Sequence, residues 1–322
     1  MKTQLTQSYQ LPSVVDSTLD VVGNTPVVRL KHVVPDDAAE VLVKLEYFNP
    51  TGSYKDRMAF AMIEEAEKRG DLQSGMTVVE YTGGSTGSSL AFVCAVKGYR
   101  FKVVSSDAYA AEKLKTMLAF GADLTIEPSQ DGQITPDLIP RMIASAKAIA
   151  AEENCFQTDQ FNNSDSIIGY RGIGRELVQQ VSQPISAFCG GVGTAGMLMG
   201  VATELRAVDP STRIVALEPS TSPTISAGTP GTHRIEGVGV GFVPPLLDSA
   251  FYDESRGIDE DDARQMARRL AREEGIFAGT STGMNVVGAL QLAKALGPGH
   301  TVTTVACDFG LKYMAQDLYT DE

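Results

Sequence analysis

The sequence predicts an α/β protein of two domains, each a mostly parallel twisted sheet covered by helices. Three features predict it. Short β-branched runs alternate with helical stretches along most of the chain. Most of the helical stretches stop at glycine, a common helix end because glycine enters the left-handed conformation without steric cost. Strand–helix series before residue 130 and after residue 184 each supply several strands, enough for two sheets.

In chain order the strands are EVLVKLE (40–46), MTVVEY (76–81), RFKVVSS (100–106), ADLTIE (122–127), PISAFCG (184–190), RIVALE (213–218) and TVTTVAC (301–307). Helical patterns fall at 56–70, 89–98, 111–121, 138–153 and 263–275. Crossovers of this length join parallel strands and place helices on both faces of a sheet. Residues 154–165 and 219–257 read as connectors or active-site loops, the second being rich in Pro, Gly, Ser and Thr.

Composition narrows the function. The 322 residues are 43% apolar and 21% charged, ordinary values for a globular protein. A net charge of −13 argues against a nucleic-acid or anionic-membrane partner, since phosphates need clustered Lys and Arg. Cys94, Cys155, Cys189 and Cys307 form no CxxC pair, and all but Cys155 sit in apolar runs, so buried thiols in a reducing compartment are expected. His32, His233 and His300 lack metal-ligand spacing, so no metal site is expected. The N-terminus has no long apolar stretch, and no membrane-length apolar run occurs, which points to a cytoplasmic protein.

Four segments can carry chemistry. Asn49-Pro-Thr-Gly-Ser-Tyr-Lys55-Asp-Arg57 leaves a strand and enters a helix, placing Lys55 near a helix N-terminus. The dipole there disfavours a cation by about 0.3–1 kcal/mol and so favours the neutral amine, the form that attacks an aldehyde. A solvated surface lysine is the plain alternative. Thr82-Gly-Gly-Ser-Thr-Gly87 lies between a strand and a helix, where small residues expose N–H groups and hydroxyls to a carboxylate or phosphate; alternatively it is only a Gly-rich helix start. Gly190-Gly-Val-Gly-Thr-Ala-Gly196 is an anion-binding turn by the same physics. Its Gly191, Gly193 and Gly196, with Glu218 at the end of the next strand, also fit a dinucleotide fingerprint, so an NAD-dependent enzyme stays open. Gly279-Thr-Ser281-Thr-Gly283 opens a helix, where Ser281 either caps it or meets a ligand. A dinucleotide explains the third segment and leaves Lys55 idle; a phosphorylated aldehyde explains both.

These motifs, together with Val22-Gly-Asn-Thr-Pro26, Asp159-Gln160-Phe161, Pro230-Gly-Thr-His233, Gly237-Val-Gly-Val-Gly-Phe242 and Asp308-Phe-Gly-Leu-Lys-Tyr313, occur in one order along nearly the whole chain. In that order and spacing the chain resembles the cysteine synthase and cystathionine β-synthase family of pyridoxal-phosphate enzymes, which share the tryptophan synthase β-like fold. The resemblance implies that pyridoxal 5′-phosphate lies in the cleft between the domains as a Schiff base on Lys55, which also shuttles the α-proton. Gly193, Thr194, Ala195, Gly196 and Met197 would cradle the phosphate, Ser281 would meet the pyridine nitrogen, and Ser85 the phenolic oxygen. Thr82, Gly83, Gly84, Ser85 and Thr86, with Gln160, would hold the substrate carboxylate, and Gly237 would line the substrate side.

A neutral hydroxyl at Ser281 makes a shallower electron sink than a carboxylate, which suits β-elimination or β-replacement over transamination. The implied reaction is cysteine synthase-like: O-acetylserine or a similar amino acid loses its β-substituent, and sulfide or another small nucleophile adds to the aminoacrylate. A β-elimination lyase (cysteine desulfhydrase or serine dehydratase), a diaminopropionate-type synthase and a non-catalytic partner protein are the rivals. The implied domains are residues 48–157, the smaller, and 1–47 with 158–322, the larger, in a homodimer. The chain departs from the family's Thr-Ser-Gly-Asn-Thr-Gly loop at Gly83, expected to open space beside the substrate, and at Ser85, shorter than the family's asparagine. Ala195 and Met197 stand where the family carries Gly and Thr.

Overall fold

The computed structural model describes residues 14–131, 137–152 and 154–320. The chain enters through a short strand β1 (Val27–Arg29) and β2 (Glu40–Leu45), then helix α1 (Lys55–Arg69). A run of alternating elements follows: β3 (Thr77–Tyr81), α2 (Ser85–Lys97), β4 (Arg100–Ser106), α3 (Ala111–Ala119), β5 (Asp123–Glu127), α4 (Leu138–Ala150) and β6 (Cys155–Gln157). Then come α5 (Asp165–Gln180), β7 (Ala187–Gly191), α6 (Gly196–Val208), β8 (Arg213–Pro219), α7 (Thr224–Ala227) and β9 (Glu254–Ile258). Helices α8 (Glu260–Arg269) and α9 (Thr280–Leu296) precede the last strand, β10 (Thr301–Ala306).

The strands form two sheets, one in the order β1-β2-β10-β7-β8-β9 and one in the order β5-β4-β3-β6. Among the described residues, every strand pairing is parallel except β1 with β2. The expected two-sheet α/β architecture is therefore observed. Helix α1 joins the sheets: Met58, Met62 and Ile63 are fully buried in one apolar cluster with Val78 and Leu90 on one side and Ile173 and Phe188 on the other. The functional turns follow the C-terminal ends of β3, β7 and β10, the edge at which open α/β sheets bind ligands.

Where the structure departs from the sequence reading, the departures are short or glycine-interrupted. Strand β6 lies within, and β9 all but its last residue within, the stretches expected to be connectors, each pairing as an edge strand of its sheet. Helix α5 was not expected, because Gly169, Gly172 and Gly174 interrupt its pattern. These glycines are contact points. A Cβ on Gly169 would lie 2.2 Å from the Arg57 carbonyl oxygen, and one on Gly174 would lie 2.7 Å from Cβ of Glu204. Their small size lets α5 pack directly on α1 and α6. Cys94, Cys189 and Cys307 are buried and free, as their apolar settings implied, while Cys155 is half-buried. No helix among the described residues is long and apolar enough to cross a membrane.

Candidate active site

Lys55 is the first residue of α1. The turn before it is closed from inside the helix: the Asp56 carboxylate accepts the Thr51 N–H at 2.7 Å and the Thr51 hydroxyl at 2.6 Å. Gly52 takes φ +73° in this turn. The lysine is not a surface residue: only 8% of it is exposed, and its Nζ lies 4.8 Å from the centre of the Tyr54 ring. Burial lowers its pKa to about 8, although the neighbouring Asp308 and Cys307 pull it upward. A buried amine that gives up its proton near neutral pH is a nucleophile and a base.

A network of buried charges fixes the helix that carries it. The Arg57 guanidinium donates through Nε (2.7 Å) and Nη2 (2.8 Å) to Glu46, and through Nη1 (2.7 Å) and Nη2 (2.9 Å) to Glu176. Lys44 adds a second cation 2.7 Å from Glu176. The Gly23-Asn-Thr25 turn closes the cage: the Asn24 and Thr25 N–H groups donate to Glu176, and the Thr25 hydroxyl donates to Glu46 at 2.7 Å. Burial would raise the Glu176 pKa, but Arg57 and Lys44 outweigh it and hold the carboxyl at about 2.

Asp308 ties three segments together just after β10. Its carboxylate accepts hydroxyls from Ser53 at 2.5 Å, Ser85 at 2.5 Å and Tyr313 at 3.2 Å. Burial works against the charge, yet Lys312, Lys113 and these hydroxyls hold the carboxyl below its ordinary value. Ser85 thus meets Asp308 and, at 3.2 Å, the Lys312 ammonium.

The turn after β7 forms an anion cradle. Among the described residues, the N–H groups of Gly193, Thr194, Ala195, Gly196 and Met197 meet no protein acceptor. Ala195 adopts φ +70°, a left-handed conformation that costs a non-glycine residue on the order of 1 kcal/mol. That bend gathers the N–H groups at the head of α6, where the helix dipole favours an anion. A Cβ on Gly193 would stand 2.3 Å from the Gly237 carbonyl oxygen, so the cradle and the Gly237 turn touch backbone to backbone. Beside Gly196, the Ser166 hydroxyl is buried and has no hydrogen-bond partner among the described residues. Free amides, a helix N-terminus and an unused hydroxyl suit a phosphate group.

The turn after β3, Thr82 to Thr86, leads into α2, with Gly84 as its N-cap. The Thr86 hydroxyl donates at 2.8 Å to Gln160, whose own amide donates at 3.2 Å to the Tyr81 carbonyl. Behind Gln160 the buried Glu80 carboxylate accepts the Thr158 hydroxyl at 2.7 Å and the Gln160 N–H at 3.0 Å. The expectation that Gly83 opens space is corrected here. A Cβ at Gly83 would lie 2.2 Å from three carbons of the Tyr109 ring, so the ring fills that volume.

Ser281 lies in the first turn of α9 and is buried, with Gly279 in the N-cap position, so Ser281 does not cap this helix. Its hydroxyl contacts the Cys307 thiol, whose pKa burial pushes up to about 12. The N–H of Cys307 donates to the Thr282 hydroxyl at 3.1 Å. Lys55, Ser281, Cys307 and Asp308 therefore neighbour one another, with Ser85 of the β3 turn on Asp308.

Glu80 makes the protein's stability depend on pH. Burial raises its pKa to about 7 from 4.5, against the pull of Thr158, Tyr81 and Gln160. The folded protein keeps a proton that the unfolded chain releases near 4.5. The stabilisation is full below that pH and is lost as pH rises to about 7, on the order of 3 kcal/mol. Unfolding of Glu80→Gln in denaturant should lack this component, so its stability relative to wild type should rise between pH 5 and 7. A constant difference would show that Glu80 is ionised throughout.

A family model described as pyridoxal-phosphate dependent enzyme matches residues 18–308. The chain belongs to that family. This pyridoxal-phosphate-dependent enzyme is 43% identical over 308 residues to a cysteine synthase of Staphylococcus aureus, covering 95% of this chain and 97% of that protein. It is 36% identical over 313 residues to a probable cysteine synthase of Bacillus subtilis, covering 95% and 98%. Its structure matches a crystal structure of O-ureido-L-serine synthase with TM-score 0.89 and 37% identity, covering 96% of this chain and 97% of that one. A cysteine synthase of Entamoeba histolytica matches with TM-score 0.93 and 30% identity, covering 99% and 95%. The resemblance drawn from the motifs is borne out, and pyridoxal phosphate is the cofactor. The dinucleotide reading falls away, since the Glu218 carboxylate already accepts the Ile225 and Ser226 N–H groups at the start of α7.

Sequence reasoning gave no role to Arg57, Glu46, Glu176 or Tyr109. Their partners are distant in the chain, so no spacing reveals them. Asp308 and Arg57 did stand inside quoted motifs, the one available signal.

Proposed function

We propose that the protein catalyses β-replacement on a small amino acid, as a cysteine synthase does, taking O-acetylserine or a similar ester and sulfide or another small nucleophile. The supporting observation is a buried lysine that deprotonates near pH 8, set between an amide cradle and a small-residue loop. Pyridoxal phosphate, when bound, supplies an aldehyde for the amino group and an electron sink for the α-carbon.

The residues divide the remaining work. Gly193 to Met197 hold the phosphate through backbone N–H groups, and Ser281 offers the ring nitrogen a neutral hydroxyl. Thr82 to Thr86 and Gln160 bind the substrate carboxylate, with Gly237 across the cleft. Lys55 Nζ takes the α-proton, the β-substituent leaves with its bonding electrons, and the nucleophile adds at the β-carbon as Lys55 returns the proton. Ser85, held by Asp308, would offer the phenolic oxygen its hydroxyl. The smaller domain is taken as residues 48–157, whose sheet carries the carboxylate loop, and the larger as 1–47 with 158–322. A cytoplasmic setting fits the free, largely buried thiols, and a homodimer is what the family resemblance implies.

Purified protein loaded with cofactor, mixed with O-acetylserine and sulfide, should form cysteine. Without sulfide it should release little pyruvate. Pyruvate and ammonia at the same rate with or without nucleophile would instead make it a β-elimination lyase.

A further inference from the structure

Tyr109 stands in the turn between β4 and α3, and that turn is held from below. The N–H of Ala108 donates to the hydroxyl of buried Ser106 at 3.2 Å, and the N–H of Tyr109 to its carbonyl at 3.2 Å. The Asp107 carboxylate accepts the Ser129 N–H at 2.7 Å, which pins the turn's outer side. The ring atoms nearest a Gly83 Cβ include Cγ, the root of the ring, so the ring cannot clear that space by rotating its tip.

Aromatic side chains share the cluster into which the ring packs. Tyr109 packs in the cluster that contains Tyr81 and Phe161. Phe161 stacks on Tyr81 with centroids 6.3 Å apart and meets Phe242, from the loop beyond Gly237, at 5.2 Å. The Tyr109 phenol feels the charge of Glu236 from the same loop. Glu236 is already engaged by Lys113 and Gln316, which leaves that ammonium committed. A strongly anionic group would have to desolvate here against aromatic faces, with Lys113 committed to Glu236 and Lys312 to Ser85.

We propose that Tyr109 is the specificity-determining residue of the amino-acid site: its ring roofs Gly83 in the carboxylate loop and admits only a short, uncharged ester on the β-carbon. The proposal rests on the β-replacement reading. Gly83 and Tyr109 then act as one unit, the missing side chain of the first making room for the ring of the second.

The test compares wild type, Gly83→Ala, Tyr109→Ala and the double variant, each loaded with cofactor. The substrates are O-acetyl-L-serine, O-butyryl-L-serine and O-phospho-L-serine with sulfide, and thermal unfolding is measured on the same loaded forms. Tyr109→Ala should raise KM for the acetyl ester about tenfold, with a much smaller change in kcat. It should also raise the butyryl-to-acetyl ratio of kcat/KM by about tenfold or more. Gly83→Ala alone should raise KM and lower Tm, and the double variant should recover Tm while keeping the raised KM of Tyr109→Ala. A selectivity ratio that stays within about twofold of wild type, or single-variant effects that merely add, overturns the proposal. So does a wild type that prefers the phospho ester. A wild type that makes cysteine from none of the three overturns the β-replacement reading and this one with it.

Discussion

Lys55→Ala should leave the purified protein colourless and lower turnover by about 10³-fold or more, since it removes both the attachment point of the cofactor and the proton carrier. Lys55→Arg should not restore activity, because a guanidinium stays charged at any working pH. Stability separates lost chemistry from lost fold. Burial lowers the Lys55 pKa from 10.5 to about 8, so the charged amine is disfavoured inside the protein. At pH 7 this costs on the order of 3 kcal/mol, and the cost disappears as pH rises through that window. Cofactor-free Lys55→Met, similar in shape and uncharged, should therefore melt above wild type at pH 7, and the gap should close by pH 10.5. Retained colour and turnover in Lys55→Ala, or a destabilised Lys55→Met, would show that the lysine is structural.

The core strands of both sheets were legible because β3, β4, β7, β8 and β10 are apolar runs bounded by turn residues, and their observed limits lie close to those expected. Strands β1 and β6, three residues each, are too short to leave a periodic signal. Helix α5 was hidden because its glycines, which lower helix propensity, exist for packing against α1 and α6. The candidate site divides the same way. Lys55, the β3 and β7 turns and Ser281 are local motifs at strand ends or helix starts, where the chemistry of the backbone is written in adjacent residues. Tyr109, Asp308 and Glu176 act across the fold, so their partners emerge only when strands from distant parts of the chain lie side by side. Gly83 shows the limit best: a missing side chain reads as empty space, whereas a ring from residue 109 fills it.

The largest stability effect should come from Arg57, which touches neither cradle nor carboxylate loop. Replacing it with methionine keeps much of the volume and leaves Glu46, fully buried, and Glu176, mostly buried, without their guanidinium partner. Breaking a buried pair from one side costs about 3–5 kcal/mol, since the remaining charge stays desolvated. Chemical denaturation at pH 7 should show a loss of that size. Arg57→Lys should recover only part, because an ammonium cannot make the paired bonds to two carboxylates. Acid gives an independent check. Glu176 is held at about 2 in the fold against 4.5 for a free glutamate, so its contribution is full above 4.5 and is lost as pH falls to about 2. The gap between wild type and Arg57→Met should therefore narrow over that window, whereas a loss caused only by packing would not depend on pH. The same network explains why Gly23-Asn-Thr25 stands so far ahead of Lys55 in the chain: its N–H groups and hydroxyl complete the cage that fixes the start of α1. A variant that keeps full stability, with Lys55 chemistry unchanged, would show that apolar packing of α1 against α5 alone orients the lysine.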